Sequence, residues 1–167
     1  SIELEVPIVP TRDKGNNCII VTIDSLNQYD ELSEANNTIN KCFFIFDDDI
    51  KPVYPAPFAI TNKVSTKLFA STANPLAASR QYVMEMDTTE LFNSAFKISR
   101  TVTSTGGTVE FDPQITHRDS TVYYWRVAPV PASGSYRWNT SSFVYLNGTE
   151  EGFNQSHLYQ HFKSVVE

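Results

Sequence analysis

Residues 121–130 read TVYYWRVAPV. Tyr123, Trp125 and Val127 alternate with Tyr124 and Arg126, the period of two that sends successive side chains to opposite faces of a strand. The first set is the more apolar and is expected to face a core. Pro129 and Pro131 put the end of this strand at an edge or a bend, because proline cannot donate to a ladder. A strand of this kind is half-buried and antiparallel, so it needs a sheet around it and a second layer against its apolar face.

Working outward, the same alternation recurs in 81–87, where Tyr82, Met84 and Met86 share one face and Val83, Glu85 and Asp87 the other, mostly acidic one. Short runs rich in β-branched and aromatic residues occur at 58–61, 67–71, 81–87, 96–103, 108–111, 121–130 and 141–146. Turn-forming clusters (TANP, STGG, DPQ, PASGS, NGT) separate them. This count and spacing predict an all-β chain, an immunoglobulin-like antiparallel sandwich over 58–148. Tyr82, Met84, Trp125, Val127 and Phe143 are its expected core, and Trp138, in a turn-rich stretch, is expected to close one end.

Upstream, 18–24 (CIIVTID) and 37–46 (NTINKCFFIF) read as an extra hairpin around a polar loop. Cys18 and Cys42 are symmetric in number about its centre and should lie opposite each other. That placement permits a cross-strand disulfide, and two small half-buried thiols are the other reading. Residues 47–57 (DDDIKPVYPAP) carry three consecutive Asp and three Pro and read as a semi-rigid linker. The Asp triplet lacks the spaced ligands and Gly of a calcium loop, so a solvated acidic stretch is expected there. Residues 149–167 lose the alternation and are expected to form a short helical or irregular tail leading to a next module.

The chain has 167 residues, 13 Lys+Arg, 19 Asp+Glu and a net charge of −6. Charged residues make up 19%, aromatics 13%, and Ser and Thr number 32, so a core can form and wholesale disorder is not expected. An acidic chain without a basic cluster is a poor partner for nucleic acid. No apolar run approaches the roughly 18 residues of a membrane span. The chain opens directly into SIELEVPIVP, as a piece of a longer protein would. Six Gly and no phosphate-loop pattern argue against a nucleotide site.

Chemistry has few footholds. His157 and His161 stand four apart, near Glu150 and Glu151, but without an HExxH pattern they are expected to be surface residues and not zinc ligands. Glu85 and Asp87 share a strand face at about 7 Å, a separation that occurs in glycoside hydrolases and on many ordinary strands. His117 has no marked Ser partner, and no G-x-S-x-G turn is present. No catalytic residue, metal or cofactor is therefore expected. Tyr29, Tyr54, Tyr124, Tyr136, Trp138 and Tyr145 are candidate exposed aromatics. Tyr124, Tyr136, Trp138 and Tyr145 are the set best placed to stack on a sugar ring. N-x-S/T triplets begin at Asn36, Asn139, Asn147 and Asn154.

The stretch VYYWRVAPV followed by SYRWNTSSFVYL resembles the sixth and seventh strands of fibronectin type III-like domains. The resemblance covers about 52–148 and implies that Tyr123 is a tyrosine-corner residue and Trp125 and Val127 are core. GNNCIIVTID…YDELSEANNTINKCFFIF resembles the end of a CARDB-like adhesion sandwich. It implies that 1–46 is the C-terminal hairpin of a truncated CARDB-like domain. The order of segments resembles that of large Bacteroidetes surface proteins, gingipain-like and peptidase-related (PorU-like), of the type IX secretion system. No catalytic motif of that family is present, so none is carried over. The resemblance implies a secreted or cell-surface bacterial chain whose partners are neighbouring domains of the same polypeptide, a cell-surface protein or a glycan. In that phylum Asp-Ser/Thr-x motifs accept O-glycans, which makes Ser25, Thr88 and Ser120 candidates. The expected function is a non-catalytic module that spaces or docks domains, the alternative being a carbohydrate-binding module.

Overall fold

The computed structural model describes residues 3, 5–23, 26, 28, 37–75, 77–148 and 150–153. The chain divides into two compact units, Ser1–Asp47 and Asp48–Glu167. The described residues are all-β but for one helical turn, α1 (Pro10–Asp13).

In the first unit, β1 (Gly15–Thr22) and β2 (Thr38–Ile45) pair antiparallel with Cys18 directly opposite Cys42. The two sulfurs are bonded, so of the two readings open for these cysteines the disulfide is the one present. The pairing places Ile19, Val21, Ile39 and Phe43 on one face and the cysteines, Ile20 and Phe44 on the other. Both faces stay open: Ile20 is 64% exposed and Ile39 65%.

The second unit holds β3 (Ile50–Tyr54), β4 (Ala59–Thr61), β5 (Leu68–Thr72), β6 (Arg80–Asp87), β7 (Ile98–Ser104), β8 (Thr108–Phe111), β9 (Thr121–Pro129), β10 (Asn139–Tyr145) and β11 (Gly152–Phe153). One sheet runs β3-β5-β8, the other β11-β4-β10-β9-β6-β7. Every pairing is antiparallel except β4 with β10. Both sheets contribute to one core in a sandwich-like arrangement. Ile50, Leu68, Val109 and Phe111 come from the smaller sheet, and Met84, Met86, Tyr123, Trp125, Val127 and Phe143 from the larger. All five residues expected in the core are buried.

The linker expected over 47–57 is in part a strand. Ile50–Tyr54 is a strand, and Ile50 is fully buried. The prolines mislead because proline is excluded from central strands but not from edges. Here β3 is an edge strand, and its register shifts between Pro52 and Tyr54. The three Asp residues also do not act together. Asp47 pairs with Lys14 at 3.4 Å and Asp48 with Arg80. Asp49 accepts from the Asn139 side-chain amide at 2.6 Å, and the same nitrogen donates to the Ile50 carbonyl at 2.8 Å. Asn139 thus ties the first residue of β10 to the first residue of β3. Of the tail, Gly152–Phe153 pairs with β4 as a strand, and 154–167 lies outside the described residues.

Candidate functional site

A group of polar and aromatic side chains lies on the outer face of the larger sheet. On β9, the alternation that sends Trp125 inward sends Arg126 outward. Its cross-strand neighbour on β6 is Glu85. Arg126 donates to Glu85 Oε2 from Nε at 2.8 Å and from Nη2 at 2.6 Å. Lys97 Nζ lies 2.9 Å from the other carboxylate oxygen. The guanidinium carbon sits 4.2 Å from the Phe92 ring centroid and 4.4 Å from that of Trp138. Trp138 in turn stacks on Tyr136, with centroids 4.9 Å apart and planes 26° apart. A planar cation offers its edge to a carboxylate and its faces to rings at the same time, which a lysine cannot do. The result is a row, Phe92, Arg126, Trp138, Tyr136, ending on a ring that is 43% exposed. Trp138 therefore packs on the sheet's outer face, fastening the β9–β10 loop, and does not close an end of the sandwich.

Phe92 reaches this row from the β6–β7 loop with a positive φ of 53°. Asp87, fully buried at the end of β6, organises that loop. Its carboxylate accepts from the Ser94 amide at 2.9 Å, from the Thr88 amide at 2.6 Å, and from the Ser94 hydroxyl. Burial pushes the Asp87 carboxyl up, but the hydrogen bonds from the Ser94 hydroxyl and from the amides of Ser94, Thr88 and Thr89 prevail and hold it below its ordinary range. The face expected to be mostly acidic is thus not a solvated one. Glu85 neutralises two cations, and Asp87 caps a loop.

His117 lies between β8 and β9, 5% exposed and packed among Tyr123, Phe143 and Tyr145, with ring centroids at 4.9, 5.4 and 5.6 Å. Its Nδ1 is 3.0 Å from the Lys63 carbonyl, and its amide donates to the Val64 carbonyl at 2.7 Å. A carbonyl only accepts, so Nδ1 carries the proton and Nε2 is the bare nitrogen, buried with no hydrogen-bond partner among the described residues. Burial lowers the His117 pKa, and the bond to Lys63 offsets this only in part. The unfolded chain then takes up this proton first. The stability that neutral His117 confers is complete at neutral pH and is lost as pH falls below about 6.5, the ordinary histidine value. Urea unfolding at pH 7.5 and 5.5 should show lower stability at the acidic value. His117→Gln should remove that part of the slope, and an unchanged slope in the variant would refute the assignment.

The stacking candidates divide. Tyr124 and Tyr145 are 6% and 4% exposed and are not platforms. Tyr145 follows Ser141 and Phe143 on the inward face of β10, a parity readable in the sequence. Tyr124 points outward, but β9 lies between β6 and β10, and the Phe92 loop covers that side of the sheet. Tyr136 and Trp138 come together as a stacked pair. Tyr54 lines an open pocket of 270 Å³ with Ile60, Glu151 and Phe153. There Lys63 donates to the Tyr54 hydroxyl at 3.1 Å and pairs with Glu151 at 3.2 Å.

Thr88 gives its amide to Asp87, and the carboxylate of that Asp-Thr motif is buried. Ser120 is exposed with a φ of 54°, and Asp119 before it accepts the Asn147 amide at 2.6 Å. Ser25, Tyr29, Asn36, Asn154, His157 and His161 lie outside the described residues. Among the described residues no group of three or more His, Cys, Asp or Glu is placed to hold a metal, and no helix is long and apolar enough to cross a membrane. Sequence patterning does not single out Phe92 or the buried role of Asp87. The one local signal is the turn-rich TTELFNS following a strand.

No family model, curated protein or solved structure matches this chain.

Proposed function

We propose that the chain is a non-catalytic structural and interaction module that spaces or docks neighbouring domains of a secreted or cell-surface bacterial protein. The observation that carries this reading is how its polar groups are used. Arg126, Glu85, Lys97, Asp87, Asp49 and Asn139 all hold loops or strands to the sandwich. Such a body is a rigid spacer.

Two features support a fibronectin type III-like sandwich. The Arg118 amide donates to the Tyr123 hydroxyl at 2.7 Å, five residues upstream and near the start of β9, as in a tyrosine corner. With β11 and β4 set aside as additions at its edge, the larger sheet runs β10-β9-β6-β7, and with β3-β5-β8 it fits an A-B-E sheet against G-F-C-C′. In the same reading the hairpin belongs to the end of a CARDB-like module, and the parent resembles the gingipain-like (PorU-like) proteins of type IX secretion. The Cys18–Cys42 disulfide supports an oxidising compartment. An antibody against this chain, used on fractionated source cells, tests the reading. A surface-accessible polypeptide much larger than 18.8 kDa is expected. A cytoplasmic pool, or a band at that mass, would refute it.

The exposure of Tyr136 on its Trp138 support favours one second reading, a carbohydrate-binding module. Retention on a glycan array that is lost in Tyr136→Ala would establish it, and no retention would remove it.

A further inference from the structure

We infer that the Cys18–Cys42 bond is a redox latch: the hairpin β1–β2 is folded when the bond is closed and open when it is reduced, while the sandwich unit stays folded in both states. Four observations meet here. The hairpin is a two-stranded sheet, a form that is marginally stable in water by itself. Its apolar side chains bury little, with Ile20, Ile23 and Ile39 each at least 64% exposed. Both cysteines are exposed, in a directly opposed pair with Cα atoms 4.0 Å apart, so an attacking thiolate has access. This chain has two cysteines, 24 residues apart, so within it no other pairing competes and reduction releases a single loop.

The chemistry balances with a dithiol as reductant. One of its thiolates attacks a cysteine sulfur, forming a mixed disulfide and expelling the other cysteine as thiolate. The second thiol of the reductant then closes on the first, releasing the remaining cysteine. Two electrons pass to the protein, the reductant becomes its own disulfide, and the two protons it gives up end on Cys18 and Cys42. Closing a loop of 24 residues biases folding by roughly 300-fold in equilibrium constant, more than a bare hairpin supplies. Folding of this unit is therefore conditional on the compartment: open among reducing thiols, closed where they oxidise. The inference is drawn for this chain, in which Ile20 and Ile39 leave both hairpin faces open.

Amide hydrogen exchange on the whole chain, with and without dithiothreitol, tests it, and alkylation of both cysteines verifies reduction. On reduction, protection in 15–22 and 38–45 should fall by up to roughly 300-fold, while 80–87 and 121–129 keep theirs. Oxidised glutathione should restore the hairpin, and Cys18→Ser with Cys42→Ser should behave as the reduced chain without reductant. Undiminished hairpin protection after reduction would overturn the inference. So would loss of protection in both units together, or cysteines that stay unalkylated under native conditions.

Discussion

Trp125→Ala is expected to lower the unfolding free energy by about 3–5 kcal/mol, the range for truncating a fully buried large aromatic. Trp125 is fully buried on central strand β9, between Tyr123 and Val127 on the same inward face, and the smaller sheet closes over that face. Removing the indole leaves a void that Met86, its cross-strand neighbour, and the rest of the core cannot fill without leaving their own packing. Trp125→Phe separates volume from polarity. The indole Nε1–H is buried with no hydrogen-bond partner among the described residues, so the phenylalanine variant loses volume but also removes an unsatisfied donor. Its cost should stay under about 2 kcal/mol. Urea melts of both variants measure this. A loss below about 1 kcal/mol for Trp125→Ala would mean that the two sheets do not close over β9.

The inward set around Trp125 is legible in the sequence because period-two alternation carries burial directly. The same holds for the partner strand with Tyr82 and Met84, and for the opposition of Cys18 and Cys42, which follows from numbering alone. What escapes is long-range or depends on exceptions to local rules. Residues 50–54 read as linker because proline argues against a strand, and nothing local shows that this strand is an edge. Asp87 and Tyr124 read as solvent-facing because alternation reports which side a residue points to, not whether a later loop folds over that side. The row from Phe92 to Tyr136 joins a β6–β7 loop, a strand and a β9–β10 loop through one guanidinium. Each residue type is ordinary in its own segment, so only the fold brings them together.

Asp87 tests whether that row depends on the loop beneath it. Asp87→Ala is expected to cost about 3 kcal/mol or more, because the Ser94 amide, the Ser94 hydroxyl and the Thr88 amide lose a charged acceptor at a buried site. Asp87→Asn keeps the shape but turns one acceptor into a donor facing an N–H, so it should fall between wild type and alanine. The pH dependence gives an independent check. The Asp87 carboxyl is held below its ordinary value in the folded state. Its contribution is therefore present above the unfolded value of about 3.9 and is lost as pH falls through the lower folded value. That part of the acid slope should be missing in Asp87→Asn. Phe92 holds its positive φ within the loop that Asp87 caps, so either variant should free Phe92 from Arg126. Trp138 would keep its guanidinium neighbour, since Glu85 holds Arg126 from the other strand. A chain that loses stability while Trp138 fluorescence stays near wild type would place Asp87 under Phe92 alone. Loss of the Trp138 environment as well would mean that the row forms and dissolves as one unit.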